Sequence, residues 1–122
     1  MKFEIAKLRG PQLDAAVAGA LGLAWKIGPA VNIQQAGRQL TRDVCTVDDG
    51  PGIFMRRFSP STDWRDAGPI LEDHWNHCIE GLEDWLGLDW MQKIDSTQHS
   101  FLRVLMQAFL VWKTGLGREV EL

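Results

Sequence analysis

Apolar residues recur at helical spacing in two stretches of the chain. Leu13, Ala16, Val17, Ala20 and Leu21 follow the i, i+3, i+4, i+7, i+8 pattern of one buried stripe. Gly10 and Pro11 suit a helix start and Gly22 a left-handed stop, so the pattern predicts a helix over 10–22. Further on, Phe101, Leu102, Leu105, Met106, Phe109, Leu110 and Trp112 repeat at the same period. Ser96 or Thr97 can cap that helix and Gly115 can end it, giving 97–114. It carries the longest apolar face and is expected to be the main contributor to the core, with Leu105 and Phe109 buried.

Between them the period falls to two. Residues 3–8 alternate and read as a short strand or an extended arm. Leu23, Trp25 and Ile27, then Val31 and Ile33, alternate on either side of Gly28-Pro29, which predicts two short strands around a turn. Residues 36–42 are polar and read as loop. Residues 44–47 and 53–58 flank Asp48-Asp49-Gly50-Pro51-Gly52, the signature of a second hairpin. The alternation of 53–58 is two-sided and does not say which face is buried. A third hairpin is read from residues 79–85 and 88–94 around Leu86-Gly87. Trp64, Ala67, Leu71 and Trp75 return to helical spacing, with Ser61 or Thr62 as the expected cap and Asp63 and Asp66 at the positive end. Pro69 removes a backbone donor, so a bend is expected near 65–69. The result is an α+β domain: a small antiparallel sheet of three to five strands packed with three helices near 10–22, 61–75 and 97–114.

Composition narrows the class. The 122 residues form a single domain, 1–122, long enough to fold without a disulfide or metal. Net charge is −3, which argues against a broadly basic nucleic-acid binder. No apolar stretch reaches the length of a membrane span, and Met1-Lys2-Phe3-Glu4 does not open a signal peptide. Cys45 and Cys78 have no motif spacing and are expected to stay reduced in a cytoplasmic protein. Six tryptophans and no tyrosine are unusual, and four of the six, Trp64, Trp75, Trp85 and Trp90, lie together. The same stretch, residues 63–95, holds nine acids against Arg65 and Lys93, so the rest of the chain is net positive. Helical spacing makes Trp64, Trp75 and Trp112 core candidates. Trp85 and Trp90, with Glu80, Glu83, Asp84 and Asp89, form a candidate interaction surface.

Candidate chemistry is sparse. His74, His77 and Cys78 are zinc-ligand types, with the two imidazoles at i, i+3, but a second ligand pair is missing and only His99 and Cys45 remain. Ordinary polar residues ending a helix, with Cys78 entering a core strand, are the better explanation, and no metal or cofactor is expected. Paired acids such as Glu80 and Glu83, or Asp66 and Asp73, are of the type used in general acid–base work, but a solvated face is the commoner role. Ser59, Ser61 and Ser96 lack a nucleophile-elbow context. Gly115-Leu116-Gly117 follows a helix and does not begin one, the wrong place to cradle phosphate.

One segment is more specific. Phe58-Ser59-Pro60-Ser61-Thr62-Asp63-Trp64, followed by Gly68-Pro69-Ile70-Leu71-Glu72, resembles the hallmark of the small NinX-like phage and prophage proteins. Lys7 to Ala18 is similar to that family's amino-terminal helix, and Gly115 to Leu122 to its glycine and Glu-Val-Glu ending. Residues 33–52 and 75–95 depart from the family pattern. The resemblance implies a helix–sheet–helix sandwich and a phage-encoded accessory protein. It implies no reaction and supplies no catalytic residue.

These readings converge on a protein that acts by binding and not by catalysis, on a host or phage protein, without membrane or nucleic acid. The alternative is a metal-binding protein or hydrolytic enzyme using His74, His77, Cys78 and the acids around them. The aromatic load also predicts self-association, most simply as a twofold dimer.

Overall fold

A computed structural model describes residues 1–29, 43–48, 56–94 and 98–122. In chain order these form β1 (Lys2–Glu4), a 3-10 turn (Ile5–Lys7), α1 (Gly10–Ala20), β2 (Ala24–Pro29), β3 (Asp43–Asp48), β4 (Arg56–Arg57), α2 (Trp64–Leu86), α3 (Trp90–Lys93), α4 (Gln98–Lys113) and β5 (Glu119–Glu121). The expected α+β class is what the chain adopts. Its strands form two antiparallel sheets, β1 with β5 and β2-β3-β4.

α1 and α4 occupy the stretches the apolar period predicted, and α4 does supply the core. Leu102, Leu105, Met106, Ala108, Phe109, Leu110 and Val111 are all at most 1% exposed. α1 packs against β2 and β3 and against α4, and α2 packs along α4. Residues 13–18 of α1 are all buried, so this helix is enclosed nearly all round and not on one stripe alone. It closes with the Leu23 N–H returning to the Ala18 carbonyl at 2.9 Å, which satisfies an end carbonyl. Between α2 and α4 the backbones nearly touch at Gly81. A Cβ there would strike the Ala108 carbonyl, with the carbonyl carbon at 2.9 Å. A single buried amide ties the amino-terminal arm to the core: Gln107 Nε2 donates toward the carbonyls of Ile5 (3.2 Å), Ala6 (3.4 Å) and Leu8 (3.2 Å).

Four expectations are corrected. Gly28-Pro29 is not a turn: β2 pairs with β3 along its whole length, Gly28 opposite Val44 and Pro29 opposite Asp43. β2 is an edge strand, where a missing N–H is tolerated. The expected third hairpin is helix. α2 continues through 79–86 because Cys78 and Leu82, one turn apart, face the core with Gly81. Leu86-Gly87 is the helix's end and not a hairpin turn; Gly87 adopts φ +96, which a side chain would resist. The cap of α2 is Asp63, not Ser61 or Thr62, its Oδ1 accepting from the Arg65 N–H at 2.9 Å. Finally, α2 departs from helical geometry at His74 (φ −128, ψ 22) and not at 65–69. Pro69 sits in the second turn after Gly68, which has no Cβ for the proline ring to strike.

The β3–β4 pairing expected of the second hairpin is present, with Thr46 opposite Arg57 and Val47 opposite Arg56. The readings for Val31, Ile33, residues 36–42, the turn at 49–52 and the cap at Ser96 or Thr97 fall outside the described residues.

Candidate functional site

The hallmark segment is a joint between three elements. The Phe58 N–H donates to the Cys45 carbonyl at 2.9 Å, extending the β3–β4 pairing by one bond. Its ring is buried beneath the Arg56 guanidinium, 5.6 Å from the ring centre. Ser59, Pro60 and Ser61 then turn inward and are buried, with the Thr62 and Asp63 N–H groups donating to the Ser59 carbonyl at 3.1 and 2.8 Å. Asp66, in the first turn of α2, reaches back across this turn. One oxygen accepts the Ser59 N–H at 2.8 Å and the other the Arg56 Nη1 at 2.9 Å. Arg57 Nε donates to Ser59 Oγ at 3.2 Å. From the far side, Asp14 of α1 accepts the Ser61 N–H on Oδ1 at 2.9 Å.

This joint walls a cleft of about 830 Å³. Around it stand Gly10, Pro11 and Asp14 from α1, Asp43, Val44 and Cys45 from β3, Arg56 and Arg57, and residues from Ser59 to Asp66. Asp14 is 4% exposed. Burial raises its pKa to about 6. The Ser61 N–H and hydroxyl and the charge of Arg57 oppose that rise, and the charge of Asp66 adds to it. The Ser61 hydroxyl influences this carboxylate yet lies outside good hydrogen-bonding geometry, and its oxygen is enclosed without a partner among the described residues. Cys45 is pushed up to about 11 by burial and by the Asp14 charge, so its thiol stays protonated at neutral pH.

Neither the cleft nor Asp14 was among the candidates read from sequence. The available signal was Asp14 itself, the one charge between Arg9 and Lys26 and set inside an apolar run.

The sequence-derived candidates lie elsewhere. Trp85 and Trp90 are half-buried against the core, while Glu80, Glu83, Asp84 and Asp89 are exposed. Asp84 pairs with Arg118 at 2.9 Å and Asp89 with Lys93 at 3.2 Å. The large apolar side chains facing solvent near them are Trp75 (45% exposed), Leu88 (86%) and Met91 (73%). Trp64 is 42% exposed, its ring tilted 6.2 Å from the Phe101 ring, and Trp75 is 45% exposed, so the core role read for both is corrected. Helical spacing gave their direction, but the inward face of α2 is set by Ala67, Ile70, Leu71, Cys78 and Leu82. Trp112 does pack on the core.

His74 and His77 meet with their Nδ1 atoms 3.1 Å apart, an arrangement that needs one donor and one acceptor. His77 stacks on Trp112 at 3.7 Å, and His74 lies against Phe109. Cys78 is fully buried and its thiol is pushed up to about 12 by desolvation. Among the described residues no three His, Cys, Asp or Glu side chains are grouped to hold a metal ion. None of the described helices is long and apolar enough to cross a membrane.

A family model described as Bacteriophage P22, NinX matches residues 4–113. No curated protein and no solved structure matches the chain.

Proposed function

The chain belongs to the bacteriophage P22 NinX family, and on that premise we propose that this phage-encoded protein is an accessory factor that binds a basic protein partner in the host cytoplasm and catalyses no reaction. The observation that carries this reading is the outer face of α2. No Lys or Arg occurs between Arg65 and Lys93, and Glu72, Asn76, Glu80 and Glu83 share one exposed helical face. Trp75 stands beside that face, and Leu88 and Met91 lie exposed beyond its end. An apolar anchor set among acids that form no ion pair with the described residues suits a partner that presents Lys or Arg around a hydrophobic pocket. Trp85 and Trp90, half-buried against the core, and the exposed Asp84 and Asp89 follow it along the chain. The reading without catalysis is supported by two protonated thiols and by Asp66, whose carboxylate is spent on structural donors.

Self-association belongs to the same reading. Two acidic faces would repel, so a twofold contact uses the more neutral amino-terminal or carboxy-terminal helix.

Affinity capture from phage-infected cells tests the partner surface. Wild type is expected to retain a protein that salt releases and that both Trp75→Ala and the double variant Glu80→Lys/Glu83→Lys fail to retain. Identical capture by all three would sink the proposal.

A further inference from the structure

The cleft holds groups that the fold itself leaves incomplete. Asp14 has one hydrogen bond among the described residues, from the Ser61 N–H, although a carboxylate can accept about four. The Ser61 hydroxyl, on a residue only 2% exposed, has no hydrogen-bond partner in good geometry among the described residues. Arg57 spends its Nε on Ser59, and its two terminal nitrogens bond to nothing among the described residues. Arg57 and Asp14 feel each other's charge across the cleft without forming an ion pair. Among the described residues, a buried acid without a cation partner thus lines the same cleft as an arginine without an anion partner.

We propose that this cleft binds a small zwitterion, its ammonium group on the Asp14 carboxylate and the Ser61 hydroxyl and its carboxylate or phosphate group on Arg57. This site is separate from the acidic face of α2 and stands or falls without it. The charges lining the cleft select the ligand class. An anion alone would meet Asp14, Asp43, Asp63 and Asp66; a cation alone would meet Arg56, Arg57 and Arg65. A molecule carrying both charges answers both sets. An ammonium has three donors, enough for Asp14 and Ser61 together. At the other end, Arg57 offers a planar pair of donors suited to a carboxylate or phosphate. Arg65, on the rim and 93% exposed along its side chain, adds positive charge beside the amino terminus of the 23-residue α2. The volume, about 830 Å³, lies in the range of small-molecule sites. Because burial lifts the Asp14 pKa to about 6, the site loses its ammonium-binding charge in mild acid.

Amide NMR and calorimetry on the full chain test the site. The zwitterion probes are glycine, glutamate, arginine and phosphoethanolamine; ethylamine and inorganic phosphate carry one kind of charge each. At least one zwitterion should shift the Asp14, Ser61 and Arg57 amides and bind at least about tenfold tighter than either single-charge control. Preference for phosphoethanolamine over the amino acids would place phosphate on Arg57; the reverse would place carboxylate there. Affinity should fall about tenfold from pH 7 to pH 5 as Asp14 protonates. Arg57→Gln, at an exposed position that the fold tolerates, should weaken binding about tenfold or more, and so should Asp14→Asn. The inference is overturned if no zwitterion shifts these amides at about 10 mM. It is equally overturned if a single-charge control binds as tightly, or if Arg57→Gln binds like wild type.

Discussion

Asp14→Asn should make the protein more stable at neutral pH, and the gain should vanish in acid. Burial raises the Asp14 pKa from 3.8 to about 6, and every tenfold gain in proton affinity corresponds to about 1.4 kcal/mol between the protonated and ionised forms. Keeping the carboxylate ionised inside the fold at pH 7.5 therefore costs about 3 kcal/mol. The folded state binds the proton more tightly than the unfolded chain, so Asp14 penalises the fold least below pH 4. That penalty grows as pH rises from about 4 to 6 and levels off above it. Asparagine keeps an Oδ1 acceptor for the Ser61 N–H and carries no charge at any pH. Urea unfolding of both proteins at pH 4, 5, 6 and 7.5 isolates the effect, since every other carboxylate cancels in the difference. With a urea slope of about 1.5 kcal/mol/M, the midpoint of the variant should lie about 2 M above wild type at pH 7.5 and near it at pH 4. A difference independent of pH, or a variant less stable at pH 7.5, would refute the reasoning.

Gly81→Ala would ordinarily favour a helix by up to about 1 kcal/mol, but here it should destabilise by about 2 kcal/mol or more. Its methyl meets the Ala108 carbonyl and forces α2 off α4, which thermal unfolding would register. Leu105→Ala removes a side chain that is 0% exposed and should cost about 2–5 kcal/mol in chemical denaturation; a cost below about 1 would mean the site collapses without a cavity. Asp63→Ala should cost about 1 kcal/mol through the lost cap on Arg65, whereas Thr62→Ala should cost much less, as paired melts would show. Sedimentation at about 50 µM should give twice the 13.8 kDa chain mass, and a monomer there would end the dimer proposal.

The sequence made α1 and α4 legible because each has a sustained apolar period between recognisable ends. It misread 79–94 for a physical reason. Gly81 and Gly87 both look like breakers, yet Gly81 is a contact point against Ala108 inside the helix and only Gly87 is a stop. Gly28-Pro29 failed similarly: the pair suits a turn by local chemistry, and its tolerance on an edge strand depends on pairing with Val44 and Asp43 that a local reading does not contain. The hallmark segment was legible as a motif but not as a wall. Ser59, Ser61 and Asp66 become a site only when Asp14, 47 residues before Ser61, is brought to the Ser61 N–H. Tryptophan exposure was least legible, because the kink at His74 and the depth of Leu71 and Leu82 decide which face of α2 is covered.

The Gln107 bridge and the β1–β5 ladder set an order on folding during synthesis. Residues 2–8 leave the ribosome well before their partners, Gln107 and residues 119–121. At about 5–20 residues per second, the arm waits on the order of ten seconds for its donor Gln107. Throughout that interval Ile5 and Leu8, each 1% exposed once folded, stay uncovered. Closure of the arm therefore waits for Gln107, made 102 residues after Ile5, and the domain folds backward onto residues synthesised earlier.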